Sequence, residues 1–408
     1  VSGILAHGVG SRGDLPIPLF YAYAGAFAAL VVSFLALGLL WPDSRFRGEV
    51  AGRVLPLRLP AMSRMLRVVT LLIVGYTVGW LVLGPEEGNA GPHLVYVIFW
   101  VGLVPASLVF GPVWRVLSPL RLLPDRARRP LPPRLGYWPA AAGLLAFTWV
   151  ELVSPEPAAP YTLLVFLLVY GGAHILATLR YGHAWLARGE AFEVYSTLIG
   201  QLAPFGRRAD GRLVLRNPFD GLDAVRPAPG LVATVCVLLG STGYDGFSGA
   251  PVWVEALQSG APGRVVLGTA GLAGAIVLVA ALYAGCLWLA GRIGGARGLA
   301  PRFAHSLVPI AVGYLVAHYF SLLVIEGQRA FVLALGLRAE VDLEAVSPAT
   351  IAAVQVLAIV IGHVAGVVAA HDRSVRLLPP ARAVAGQIPM FVLMICYTVG
   401  GLTLLLAA

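Results

Sequence analysis

The sequence predicts an all-α protein: a polytopic transmembrane helix bundle of about ten spans, with both termini outside. Three observations predict it. Of 408 residues, 58% are hydrophobic and only 12% charged, about half the charged share of an ordinary soluble domain. The mean hydropathy is +0.83. All 29 basic residues are arginine, and they are spread unevenly over the links between the apolar runs. The first two observations exclude a soluble globular enzyme and a disordered scaffold. The lack of lysine excludes Schiff-base chemistry, a P-loop and a lysine general base.

A helix that crosses the hydrocarbon core takes about 20 mostly apolar residues. Such runs fall at 19–41, 66–84, 93–113, 137–154, 161–179, 230–245, 264–290, 303–325, 350–371 and 387–407. Pro105, Gly240 and Gly243 interrupt the shorter ones, which a bundle tolerates where neighbouring helices or water satisfy the backbone. With the N-terminus outside, the odd-numbered links hold 25 of the 29 arginines, and only Arg12, Arg264, Arg329 and Arg338 fall on the other side. That alternation is the positive-inside pattern. The net charge of +9 is thus an orientation signal and a contact with anionic lipid headgroups, not a nucleic-acid footprint. Val1 to Pro18 shows no basic stretch leading into an apolar one. The first helix is therefore expected either to insert with its N-terminus out or to follow a removed signal.

The chain reads as a single integral membrane domain, 1–408, without an internal repeat. Its one long link, 180–229, is expected in the cytoplasm. Within it, Phe192, Tyr195, Leu198, Ile199 and Leu202 recur at helical spacing opposite Glu190, Glu193 and Gln201. This predicts an amphipathic interfacial helix over 190–203. A short hairpin follows, with Asp210-Gly211 at its turn. Cys236, Cys286 and Cys396 lie far apart in apolar runs with no Cys-x-x-Cys, and read as small buried hydrophobes.

Ionisable groups inside spans are costly and mark function by default. Two histidine-bearing spans invite a haem reading, with His305 and His371 level near the inner edge. The His305–His318 and His363–His371 spacings are 13 and 8 residues, so two haems do not stack between them, and haem is not the favoured cofactor. The favoured reading is a polar site at the outer ends of the spans. His93, Glu151, Ser241, Thr242, Asp245, His318 and Glu326 fall there, with His7 and Asp14 preceding the first span on the same side. His93, Glu151 and His318 would ligate a divalent metal whose open position activates water. Without metal, Glu151, Asp245 and His318 would supply an acid–base pair. The Gly-rich stretch Leu239–Trp253 reads as an outer loop, with Ser241, Thr242 and Tyr244 lining the substrate. It is not a nucleophile elbow, because Gly246-Phe-Ser-Gly-Ala250 lacks the second glycine and a preceding strand.

Several stretches carry a resemblance. They are Ala6-His-Gly-Val-Gly-Ser-Arg-Gly-Asp-Leu-Pro16, Gly111-Pro-Val-Trp-Arg-Val-Leu-Ser-Pro119, Leu135-Gly-Tyr-Trp-Pro139, Trp149-Val-Glu151, Leu239-Gly-Ser-Thr-Gly-Tyr-Asp-Gly246, Ala317-His-Tyr319, Gly362-His-Val-Ala-Gly366 and Ala370-His-Asp-Arg373. Together they resemble a family of bacterial, often actinobacterial, multi-pass membrane proteins named after fenitrothion hydrolase. The resemblance implies residence in the bacterial cell membrane and hydrolysis of an apolar phosphotriester or thiophosphotriester that partitions from the bilayer. The competing classes are a membrane carrier or permease, which Gly- and Pro-broken helices and His363 would fit, and an accessory subunit of a larger membrane complex.

Overall fold

The computed structural model describes residues 19–48, 52–56, 60–207, 212–259 and 263–406. The described chain is helical almost throughout, and the all-α class predicted from composition is what it adopts. Among the described residues nine helices are long and apolar enough to cross a membrane: Phe20–Leu40, Met62–Leu83, Ala90–Phe110, Pro160–Tyr181, Leu231–Ser248, Arg264–Gly294, Ala300–Ala334, Pro348–Leu377 and Ala385–Leu404. The remaining expected run, 137–154, forms the 15-residue helix Trp138–Leu152. At 1.5 Å per residue that is about 22 Å, short of the ~30 Å hydrocarbon core. Its end is set locally. The N–H groups of Val153 and Ser154 both turn back to the Trp149 carbonyl, at 2.9 and 3.1 Å, and Pro155 disfavours a helical Ser154.

The chain divides into two compact units. The first holds Arg53–Leu215 and Ser321–Val346. Its helix Ala90–Phe110 runs as a π-helix from Leu94 to Val101. The Gly102 N–H reaches back to Val97 O at 2.9 Å, and Pro105, three residues on, has no N–H to offer the Val101 carbonyl. Aromatic rings fill the core of this unit. Trp100 stacks on Tyr195 with centroids 4.4 Å apart, and Phe147 lies 4.9 Å from Trp100 and 5.2 Å from Phe192. A small antiparallel sheet joins β1 (Arg53–Val54), β2 (Phe205–Arg207) and β3 (Leu213–Leu215) in the order β1-β3-β2. The expected Asp210-Gly211 turn lies outside the described residues.

The segment expected as an interfacial helix forms Ala191–Ile199, followed by a 3-10 turn Gly200–Leu202. It is enclosed on all sides, not laid on a surface. Glu190 and Glu193, assigned from the sequence to the polar outer face, are each 1% exposed. Each is compensated inside. Arg121 grips Glu193, with Nε on Oε2 at 2.8 Å and a second guanidinium nitrogen on Oε1. Glu190 caps the helix, accepting from the Phe192 and Glu193 N–H groups at 3.0 and 2.7 Å, from Trp114 Nε1 at 3.1 Å and from the Tyr170 hydroxyl. A polar helix face thus means water or buried donors, and periodicity does not separate the two.

Of the described residues, the second unit holds 19–48, 52, 216–259, 263–320 and 347–406. The helix Val308–Ala334 therefore gives residues 308–320 to this unit and 321–334 to the other. Within the second unit the 308–320 segment crosses Pro348–Leu377 at Gly313 and Gly362. A Cβ on either glycine would come within 3.1 Å of the other's Cα, so only glycine allows this approach. One end of Pro348–Leu377 is locked by ion pairs. Asp372 accepts from Ser44 Oγ at 2.8 Å and Arg45 N at 2.6 Å, while Arg373 and Arg376 both reach Asp223 at 2.9 Å.

Candidate functional site

The helix Leu231–Ser248 carries the core of the site. The expected outer loop over 239–253 is helical as far as Ser248, and Pro251–Gln258 forms a further helix. Gly240 and Gly246, read as loop formers, are instead packing positions. A Cβ on Gly240 would strike the backbone of Ile276 at 2.6 Å, so the helix needs glycine to pass its neighbour. Ser241 and Thr242, expected to face substrate, turn their hydroxyls back to the Leu238 carbonyl, at 3.2 and 2.7 Å, as these residues do inside helices. The buried Tyr244 accepts from Trp253 Nε1 at 3.3 Å.

Asp245, on the same helix, is the pivot. Its Oδ2 accepts from His318 Nε2 at 2.9 Å and from the Tyr319 hydroxyl at 2.7 Å. The carboxylate is 6% exposed. With Nε2 carrying the proton that Asp245 accepts, the lone pair of His318 sits on Nδ1, the nitrogen that can act as a base. Tyr319 fixes the carboxylate that fixes the imidazole. The Tyr314 ring lies one turn from His318 on the same helix, nearly parallel to it, with centroids 6.0 Å apart. Two of the three residues expected as an acid–base set are therefore together. Tyr319 entered the sequence reading only as the end of the Ala317-His-Tyr319 stretch and was given no role, because a tyrosine in an apolar run has no distinguishing pattern.

The first unit contains its own carboxylate–imidazole pair. His93 ends the short helix Ala90–His93, where Asn89 Oδ1 caps the Gly91 N–H at 2.8 Å and the π-helix begins. Its Nε2 lies 3.3 Å from Glu326 Oε2, and Arg329 Nε lies 3.0 Å from that same oxygen. Glu151 is in the last turn of Trp138–Leu152 in this unit, half-buried and one turn beyond Phe147. Among the described residues no three His, Cys, Asp or Glu side chains gather as a metal-ligand set. Of the expected ligands, His93 and Glu151 belong to the first unit and His318 to the second. His7 and Asp14 lie outside the described residues. For haem, His371 faces Gln387 Oε1 with Nδ1 and the Trp41 carbonyl with Nε2, both at 2.9 Å. A neutral ring carries one N–H and so donates to only one of these two oxygens.

No family model, no curated protein and no solved structure matches this chain.

Proposed function

We propose that this protein is a multi-pass hydrolase of the bacterial cell membrane, with both termini outside. It would use the Asp245–His318 pair to activate water against a neutral phosphotriester-type substrate drawn from the bilayer. The observation that carries the reading is the pair itself. A carboxylate hydrogen-bonded to an imidazole at 2.9 Å, set in largely apolar helices, is an arrangement that packing alone does not need. His318 Nδ1 takes a proton from water as the water oxygen bonds to phosphorus. The bond from phosphorus to the leaving alkoxide or aryloxide breaks, and the proton passes from the imidazolium to that oxygen. Asp245 stabilises the imidazolium and holds its tautomer, as a buried carboxylate does in other acyl- and phosphoryl-transfer sites. An uncharged triester needs no arginine clamp, and its apolar arms favour entry from lipid. The resemblance to the fenitrothion hydrolase family supports the same substrate class, and the arginine alternation supports the orientation.

The test is hydrolysis of a chromogenic phosphotriester by purified protein. Asp245→Asn and His318→Gln are each expected to lower kcat by about 10²-fold or more. A wild-type protein without turnover overturns the reading. A second reading, a proton-coupled carrier, is favoured by one observation that hydrolysis does not use: the buried His93–Glu326 pair, to which the part-exposed Arg329 adds a second contact. Buried carboxylate–imidazole groups in spans serve as proton-loading sites in carriers. Acidification-driven uptake into reconstituted vesicles that Glu326→Gln abolishes would support it.

A further inference from the structure

Tyr314 is a buried tyrosine whose hydroxyl makes no hydrogen bond. Phenylalanine would fill the same space without leaving a polar atom unsatisfied, so packing does not account for the oxygen. The ring is held rigidly. Ala26, Ala317, Ile359 and Leu402 surround it. Gly401 lies against the ring, where a Cβ would come within 3.3 Å of Cδ2. Gly246 makes room for the hydroxyl, since a Cβ there would overlap it. Gly246 is the residue after Asp245, and Tyr314 is one turn before His318 with its ring parallel to the imidazole. The unpartnered hydroxyl thus lies against Gly246, the residue after the carboxylate, while its ring centroid is 6.0 Å from that of the imidazole.

We propose that the Tyr314 hydroxyl donates a hydrogen bond to the acceptor oxygen of a neutral ligand bound at Asp245–His318. For a phosphotriester this is the phosphoryl oxygen, and the substrate class, though not the donor role, rests on the hydrolase reading above. A fixed donor aimed where negative charge develops is the usual device for stabilising such a transition state. The neighbouring Asp245 carboxylate disfavours an anionic ligand, which leaves a neutral acceptor. Oxygen is preferred over sulfur because sulfur accepts a hydrogen bond from a hydroxyl poorly.

A trialkylphosphine oxide is a suitable probe, being a strong acceptor with no bond for the enzyme to hydrolyse. The matching phosphine sulfide keeps its shape and loses most of its acceptor strength. With full-length protein in detergent, Tyr314→Phe is expected to weaken oxide binding by about tenfold and to leave sulfide binding unchanged. The ligand-free variant should melt no lower than wild type. The phosphorus NMR shift of the bound oxide should move downfield in wild type and not in the variant, a readout that a purely structural role would not produce. Equal oxide affinity in the two proteins, or no oxide binding by wild type, overturns the assignment. The two claims separate cleanly. Oxide binding that depends on Tyr314, without turnover of any triester, sinks the hydrolase and keeps the donor. Turnover with oxide affinity unchanged in Tyr314→Phe does the reverse.

Discussion

Asp245 is worth most through what it holds. One of its oxygens satisfies both His318 Nε2 and the Tyr319 hydroxyl, so Asp245→Ala strands the buried Tyr319 hydroxyl and the part-buried His318 ring at once. The expected loss is about 2–4 kcal/mol, read by denaturant or thermal unfolding in detergent. Asp245→Asn, which keeps the volume and an acceptor oxygen, should lose less than half of that. Equal losses would mean that the amide oxygen does not replace the carboxylate as acceptor for His318 and Tyr319. The sequence made Asp245 and His318 conspicuous, because an ionisable residue in an apolar run stands out. It did not pair them, since 73 residues separate the two and no local spacing records a contact between helices. The same holds for His93, whose partner Glu326 lies on another helix. The sequence grouped both with the other polar span ends and gave no reason to join them.

Individual elements show where periodicity succeeds and where it stops. The 3.6-residue pattern over 190–203 located a helix, but the partners that neutralise its polar face, Arg121 and Trp114, lie some 70 residues upstream and leave no mark on that pattern. Burial, reinforced by the nearby Glu193 charge, raises the Glu190 carboxyl from 4.5 to about 7, against the opposing effect of its hydrogen-bond donors. The folded state then holds a proton that the unfolded state has released between about pH 4.5 and 7. Stability should therefore fall as pH rises through that window and level off above it. Glu190→Gln should flatten this slope even if it lowers stability at every pH, and melting temperatures from pH 5 to 8 measure it. In the Leu231–Ser248 helix, glycine content suggested a loop because glycine is a turn former in water. In a packed bundle it is equally a contact residue. Gly240→Val should accordingly cost at least 1–3 kcal/mol through overlap with the Ile276 backbone, in line with overpacking of other cores, about that size. A variant as stable as wild type would show that the two helices can part.

At the scale of the whole molecule, hydropathy made the helical architecture legible. Composition predicted the helices, and among the described residues nine have the length and apolarity to cross a bilayer. The 15-residue Trp138–Leu152 helix was harder to read, because hydropathy counts apolar residues while the Trp149 and Pro155 neighbourhood decides where the helix stops. Orientation is a separate claim, and it predicts that single cysteines introduced at 120–130 and 330–345 label from opposite sides of the membrane. Same-side labelling would contradict the arginine argument. The site was legible only as a set of residue types, since its geometry arises from contacts between helices. The central claim is that Asp245 and His318 make water the nucleophile at phosphorus, and isotope transfer tests it most directly. Turnover of a phosphotriester in ¹⁸O-water by wild-type protein should place one ¹⁸O in the phosphodiester product, and Asp245→Asn should form almost none of that product. Label appearing in the released alcohol, or labelled diester formed equally fast by Asp245→Asn, would contradict it.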